Sequence, residues 1–204
     1  MSAGVAQRLV FIGDSITEDG RSLDDPHDLG VGYVARVARR RAEAGFDDVV
    51  LNTGVGGHRA VDLEARFDRD CLAHEPDVVS IHVGINDTWR RYDGGEATSV
   101  EAFEASYRSM VARATDAGIR LVLIEPFLLA LRPEQTEWRD DLDPKIDVVR
   151  SLAREFDAQL VAADTAFTRA GWERDPAGLL WDGVHPTDAG RELLARTWCE
   201  SVAL

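Results

Sequence analysis

Leu9-Val10-Phe11-Ile12-Gly13-Asp14-Ser15-Ile16-Thr17 is the stretch that decides how this chain folds. Four apolar residues in a row end abruptly in a glycine, an acid and a serine. An unbroken apolar run suits a parallel strand covered on both faces. The polar residues after it mark a tight turn at the strand's C-terminal end. In an open parallel α/β sheet, ligands bind outside that edge. Ser15 is then either a helix N-cap, the commoner role of a lone serine, or a nucleophile.

The same strand signal recurs at residues 49–52, 78–83, 121–124 and, more weakly, 160–161. Helical periodicity fills the gaps. Val100, Phe103, Tyr107, Met110, Val111 and Ala114 share one face, with Thr98 and Glu101 read as a capping box and Gly118 as the C-terminal stop. Leu142, Ile146, Val149, Leu152 and Phe156 form a second stripe. Leu193, Leu194, Trp198 and Val202 form a third, after Thr187 as N-cap. The alternation predicts a single three-layer α/β/α domain over residues 1–204. Two polar stretches, 17–29 and 90–97, leave the C-terminal edge, where binding loops belong.

Composition narrows the function classes. The chain has 204 residues and a formal net charge of -14. Such a surface repels phosphate backbones and anionic lipid, so nucleic acid and membranes are poor partners. Of 23 basic residues only Lys145 is a lysine, which reads as compositional bias. The two cysteines, Cys71 and Cys199, suggest neither a disulfide framework nor a metal site. The first residues lack a basic stretch followed by an apolar one, so the expected location is the cytoplasm.

The strand ends carry the chemistry. After the first comes Ser15; after the second, Asn52-Thr53-Gly54-Val55-Gly56-Gly57-His58; after the third, Gly84-Ile85-Asn86-Asp87; after the fourth, Glu125-Pro126-Phe127. Before the last helix comes Trp181-Asp182-Gly183-Val184-His185-Pro186. Converging on one edge, these supply a hydroxyl, glycine backbone donors, a carboxamide, a carboxylate and an imidazole. That set fits acyl transfer: a base for the serine, an acid to orient the base, and donors for the oxyanion. Singly, each piece reads as a cap or a turn. The conjunction carries the inference.

Gly13-Asp14-Ser15, the segment from Asn52 to Gly57, Gly84-Ile85-Asn86-Asp87 and Asp182-Gly183-Val184-His185-Pro186 resemble the four blocks of the SGNH (GDSL) hydrolase superfamily, in order and over nearly the whole chain. Gly20-Arg21, Leu29-Gly30-Val31-Gly32-Tyr33-Val34 and Asn86-Asp87-Thr88-Trp89-Arg90-Arg91-Tyr92-Asp93 are similar to its acetylxylan-esterase-like branch. The resemblance implies a flavodoxin-like, five-stranded parallel sheet in the order 2-1-3-4-5. It implies Ser15 as nucleophile, His185 as base and Asp182 as its orienting acid. The oxyanion donors would be the N–H groups of Ser15 and Gly57 and the side chain of Asn86. Where relatives usually carry serine, this chain has Gly56, which leaves Gly56 and Gly57 as alternative donors; register from Asn52 favours Gly57. Asp14, Trp89, Arg90, Tyr92 and Trp181 are candidate substrate contacts.

The expected activity is therefore a serine esterase for acetyl or other short acyl esters, on a xylo-oligosaccharide or related sugar, with no metal or cofactor. The alternatives are a lysophospholipase or thioesterase on the same framework and, in a different class, a non-catalytic carbohydrate-binding module. A homo-oligomer is compatible with relatives of this branch. The glycines at Gly30 and Gly32 lie too far past the first strand for a dinucleotide site, and His27, His58, His74 and His82 lack metal-ligand spacing.

Overall fold

The protein is described over residues 6–204 by a computed structural model. Five strands form one sheet: β1 (Arg8–Gly13), β2 (Val49–Asn52), β3 (Val78–His82), β4 (Arg120–Ile124) and β5 (Gln159–Val161). All pairings are parallel and the order is β2-β1-β3-β4-β5. Each predicted strand is present, shifted by no more than a residue at either end. The order reverses between β1 and β3, so the crevice at the switch point opens between their C-terminal ends. Gly13 pairs with His82 at that end, which sets Ser15 and Asn86 just beyond the same edge.

Alternation along β1 explains the two cores. Leu9 and Phe11 face one layer, and Val10 and Ile12 face the other; all four are buried. On the first face lie α2 (Tyr33–Glu43), α8 (Ala163–Glu173) and α9 (Asp188–Ser201), through Val34, Val37, Phe167, Leu194 and Trp198. On the second lie α3 (Ala60–Asp70) and α5 (Val100–Asp116), through Leu63, Phe67, Phe103, Tyr107 and Met110. The helix α7 (Trp138–Glu155) serves both, with Leu142 and Ile146 in one core and Val149 and Leu152 in the other. Burying each such side chain contributes roughly 1.5–3 kcal/mol, so the apolar stripes suffice to fix the layers.

The helix ends follow the local sequence signals except at the start of α5. Thr187 caps α9 by accepting from the Gly190 N–H. The C-terminus of α5 closes on Gly118, at φ 74°, with Gly118 N–H donating to Thr115 and Ile119 N–H to Ala114. At its N-terminus, however, the cap is Ser99 rather than Thr98: the Ser99 hydroxyl accepts from the Ala102 N–H at 3.1 Å. Both residues have capping chemistry, and the one directly before the first helical residue takes the role. Cys71 and Cys199 are free thiols. No helix among the described residues is long and apolar enough to cross a membrane.

Candidate active site

Ser15 opens the four-residue helix α1 (Ser15–Glu18), and Asp14 is its N-cap, with Oδ1 accepting from the Ile16 N–H at 3.0 Å. The capping role thus falls to the acid, and the serine hydroxyl is left free for another partner. Asp14 is also completely buried, which removes it from the candidate substrate contacts. Burial pushes its carboxyl up to about 7.

The partner of Ser15 is His185. Oγ lies 2.9 Å from Nε2, and Nδ1 of the same ring lies 2.7 Å from Oδ2 of Asp182. Although partial burial opposes ionisation, hydrogen bonds from the His185 ring and from the His185 and Val184 N–H groups hold Asp182 below its ordinary value. An ionised carboxylate only accepts. Nδ1 therefore carries the proton, and Nε2 is left to accept from the Ser15 hydroxyl. For His185, burial again disfavours charge, but Asp182, aided by Asp14 and Asp19, outweighs it and raises the imidazole above its ordinary value.

The sequence around the pair makes this geometry. Oδ1 of Asp182 accepts from Val184 N–H at 2.9 Å and His185 N–H at 2.7 Å, a turn that brings the ring back over its own carboxylate. Gly183 sits at φ 92°, and a Cβ there would lie 2.7 Å from the Leu129 carbonyl. Buried Gln135, in the short helix α6 (Pro133–Thr136), donates to the Asp182 carbonyl at 2.8 Å and accepts from Leu131 and Arg132 N–H. It ties the loop carrying the base to the segment after β4.

Side chains and neighbouring backbone hold the segment between β2 and α3. Asn52 Oδ1 accepts from Gly54 N–H, and Val55 N–H donates to the Gly13 carbonyl. Arg21 donates to the Gly54 carbonyl at 2.9 Å. Buried Arg66 donates to the carbonyls of Thr53 (2.6 Å) and Gly13 (2.9 Å), and to Nδ1 of His58 (3.1 Å). One cation thereby bridges the strand bearing the nucleophile and the loop opposite it. Burial, and then Arg66, holds His58 below its ordinary value, which suits its accepting role. Gly56 N–H donates to Glu18. Among the described residues, the N–H groups of Gly57 and Ser15 have no hydrogen-bond partner in the protein. Gly57, at φ 77°, is thus the free donor of the loop, and Gly56 is not.

Asn86 completes the arrangement from α4 (Ile85–Asp93). Its Nδ2 donates one hydrogen to the His58 carbonyl at 3.0 Å, which orients the amide and leaves the second hydrogen available. The neighbouring Asp87 is fully buried and accepts from Ala60 N–H at 3.0 Å, fixing α4 to the start of α3. Burial raises its carboxyl to about 6. Lys145, fully buried in α7, pairs with Asp141 and reaches Thr88 Oγ1 at 3.5 Å, bracing the same helix. Replacing Asn86 by alanine should lower kcat roughly 10²–10³-fold, as loss of one oxyanion donor does; steady-state kinetics on p-nitrophenyl acetate reads it.

The aromatic candidates divide. Trp181, 62% exposed, stacks on the His185 ring at 5.1 Å, and Trp89 packs on the same ring at 5.9 Å. Tyr92 instead stacks on Trp138 at 5.4 Å and donates to the Glu137 carbonyl, and Trp138 also packs on Trp89. Arg90 pairs with Asp93 and lies beside Gly57. Trp138, Gln135, Arg66 and Glu18 carry no motif; no signal in the local text marks their part in the site.

The comparisons with known proteins agree with this geometry. The sequence profile described as the GDSL-like lipase/acylhydrolase family matches residues 11–193. An acetylxylan esterase from Geobacillus stearothermophilus is 35% identical over 213 residues, covering 99% of this chain and 96% of its own. A solved variant of Axe2, an acetyl-xylooligosaccharide esterase from that organism, superposes with a TM-score of 0.91 at 35% identity over 100% of this chain and 97% of its own. The unmodified enzyme does so at 0.90, with the same identity and coverage. Other solved forms of Axe2 are catalytic mutants in which a serine, an aspartate or a histidine is replaced by alanine. The chain, from its first strand to its last helix, belongs to the GDSL-like lipase/acylhydrolase family.

Proposed function

We propose that this protein is a serine esterase that removes acetyl groups from xylo-oligosaccharides through an acetyl-enzyme. The observation that carries the reading is the aligned set of Ser15, His185 and Asp182, facing two unpartnered backbone N–H groups and the Asn86 amide. Ser15 Oγ attacks the ester carbonyl as its proton passes to His185 Nε2. Negative charge gathers on the carbonyl oxygen, where Ser15 N–H, Gly57 N–H and Asn86 Nδ2 donate. The tetrahedral intermediate collapses, the C–O bond to the sugar breaks, and the proton on His185 goes to the departing sugar oxygen. Water then attacks the acetyl group on Ser15, giving its proton to the same nitrogen. Collapse releases acetate and returns the proton to Oγ.

The 35% identical acetylxylan esterase supports the choice of substrate, and the exposed Trp181 ring beside His185 offers a flat apolar surface for a pyranose face. The test is acetate release from acetylated xylo-oligosaccharides and other acetylated glycosides, beside p-nitrophenyl esters of rising acyl length, a lysophospholipid and an acyl thioester. Acetylated xylo-oligosaccharides should be the best substrates and rates should fall with acyl length. Faster turnover of the lysophospholipid or the thioester would transfer the assignment to those reactions.

A further inference from the structure

The Glu18 carboxylate lies directly against Gly56. The Glu18 carboxylate accepts the Gly56 N–H, and a Cβ built on Gly56 would lie 3.0 Å from Glu18 Oε2 and 3.7 Å from Ser15 Cβ. A side chain at 56 would therefore crowd the Glu18 carboxylate and push it off its place against the Gly56 N–H. With glycine at 56, the Glu18 carboxylate reaches the backbone N–H unhindered. The acid stands on α1, three residues after the nucleophile, while the glycine stands on the loop opposite.

From this pairing we propose that Glu18 is a positioning residue, clamping Gly56 so that the N–H of Gly57 is presented to the oxyanion. The proposal rests on the esterase reading and adds the device that chooses the donor. Gly57 then lies between two held neighbours: Gly56, whose N–H is bound by Glu18, and His58, whose N–H donates to the Val55 carbonyl and whose own carbonyl accepts from Asn86. The remaining ties on this loop act on Thr53, Gly54, Val55 and His58, and among the described residues none but Glu18 holds the N–H of Gly56. The bond runs from α1 itself, so the donor is registered against the serine rather than against the distant core. A carboxylate acceptor makes the bond charge-assisted and strong.

The experiment compares Glu18→Ala, Glu18→Gln, Gly56→Ala and the double variant Glu18→Ala/Gly56→Ala with the wild type. The substrate is p-nitrophenyl acetate, and the thermal midpoint serves as the folding control. Glu18→Ala should lower kcat about 10²-fold, the scale of a misplacement near 1 Å, with KM changed little. Glu18→Gln, whose amide oxygen still accepts an N–H, should recover to within about tenfold of wild type. Gly56→Ala should impair the wild type more than it impairs Glu18→Ala, because both changes break one contact. Amide exchange of Gly56, read by NMR on the whole protein, should be slow in the wild type and fast in Glu18→Ala. An unchanged or raised kcat in Glu18→Ala, a change in KM alone, or Gln no better than Ala would overturn the proposal. A wild type inactive on the ester would refute the esterase reading instead, and the Gly56 exchange rates would still decide whether Glu18 clamps the loop.

Discussion

Replacing Ser15 by alanine should reduce kcat on p-nitrophenyl acetate by roughly 10⁶-fold, the scale found when a triad serine is removed, with the fold intact. The chemical part follows from the absence of any other nucleophile in the cluster. His185 remains a base, but only water is left for it to activate. The structural part follows from where the serine stands. Asp14, not Ser15, caps α1, and among the described residues the hydroxyl hydrogen-bonds only to His185. Alanine is the best helix former, and the site is half-buried, so the thermal midpoint should move by no more than a few degrees. Activity retained within tenfold would remove the serine from the chemistry.

Asp182→Asn should lower kcat by about 10⁴-fold, the scale known for a triad acid converted to its amide. The amide NH₂ would face His185 Nδ1, which must then accept rather than donate. The proton moves to Nε2, and Nε2 can no longer accept from the Ser15 hydroxyl. The loop itself should survive: an amide oxygen at the position of Oδ1 still accepts from Val184 and His185 N–H. The defect should therefore appear in kcat with little loss of stability. Measured against wild type, a fall below tenfold would mean that the acid does not set the tautomer.

What could be read from the chain beforehand follows physical range. The β1 run, the α5 and α7 stripes and the Thr187 cap rest on contacts within one turn or one strand, and the residues alone specify them. The pairing of Asp182 with His185 spans three positions and was likewise legible. Ser15 meeting His185 spans 170 positions: the serine sits at the end of β1, on the edge where ligands bind, but His185 stands in the loop between α8 and α9, and the resemblance to the four-block family is what joins the two. Contacts without such a rule stayed hidden. Gln135 reaches Asp182 across 47 residues, and Arg66 reaches Gly13 across 53. Glu18 reads as an ordinary exposed acid until its fold neighbour, Gly56, is known. Register alone favours Gly57 over Gly56; that the Gly56 N–H is taken by Glu18 and the Gly57 N–H is free follows from a contact across 38 residues that no local pattern announces. Asp14, a candidate substrate contact in the sequence, is instead the buried cap of a helix only four residues long, too short to leave a periodic signal.

In the proposed reaction Ser15, made nucleophilic by His185, carries the acyl group. A fluorophosphonate probe tests it directly, because the reagent forms a stable phosphonyl ester only with an activated hydroxyl. Incubation of the intact protein, digestion and mass spectrometry locate the adduct. The mass of one phosphonyl group should appear on Ser15, block hydrolysis of p-nitrophenyl acetate in proportion, and fail to appear in the His185→Ala variant. An unlabelled Ser15 in an active enzyme, or full inhibition with the adduct on another residue, would exclude Ser15 as the nucleophile.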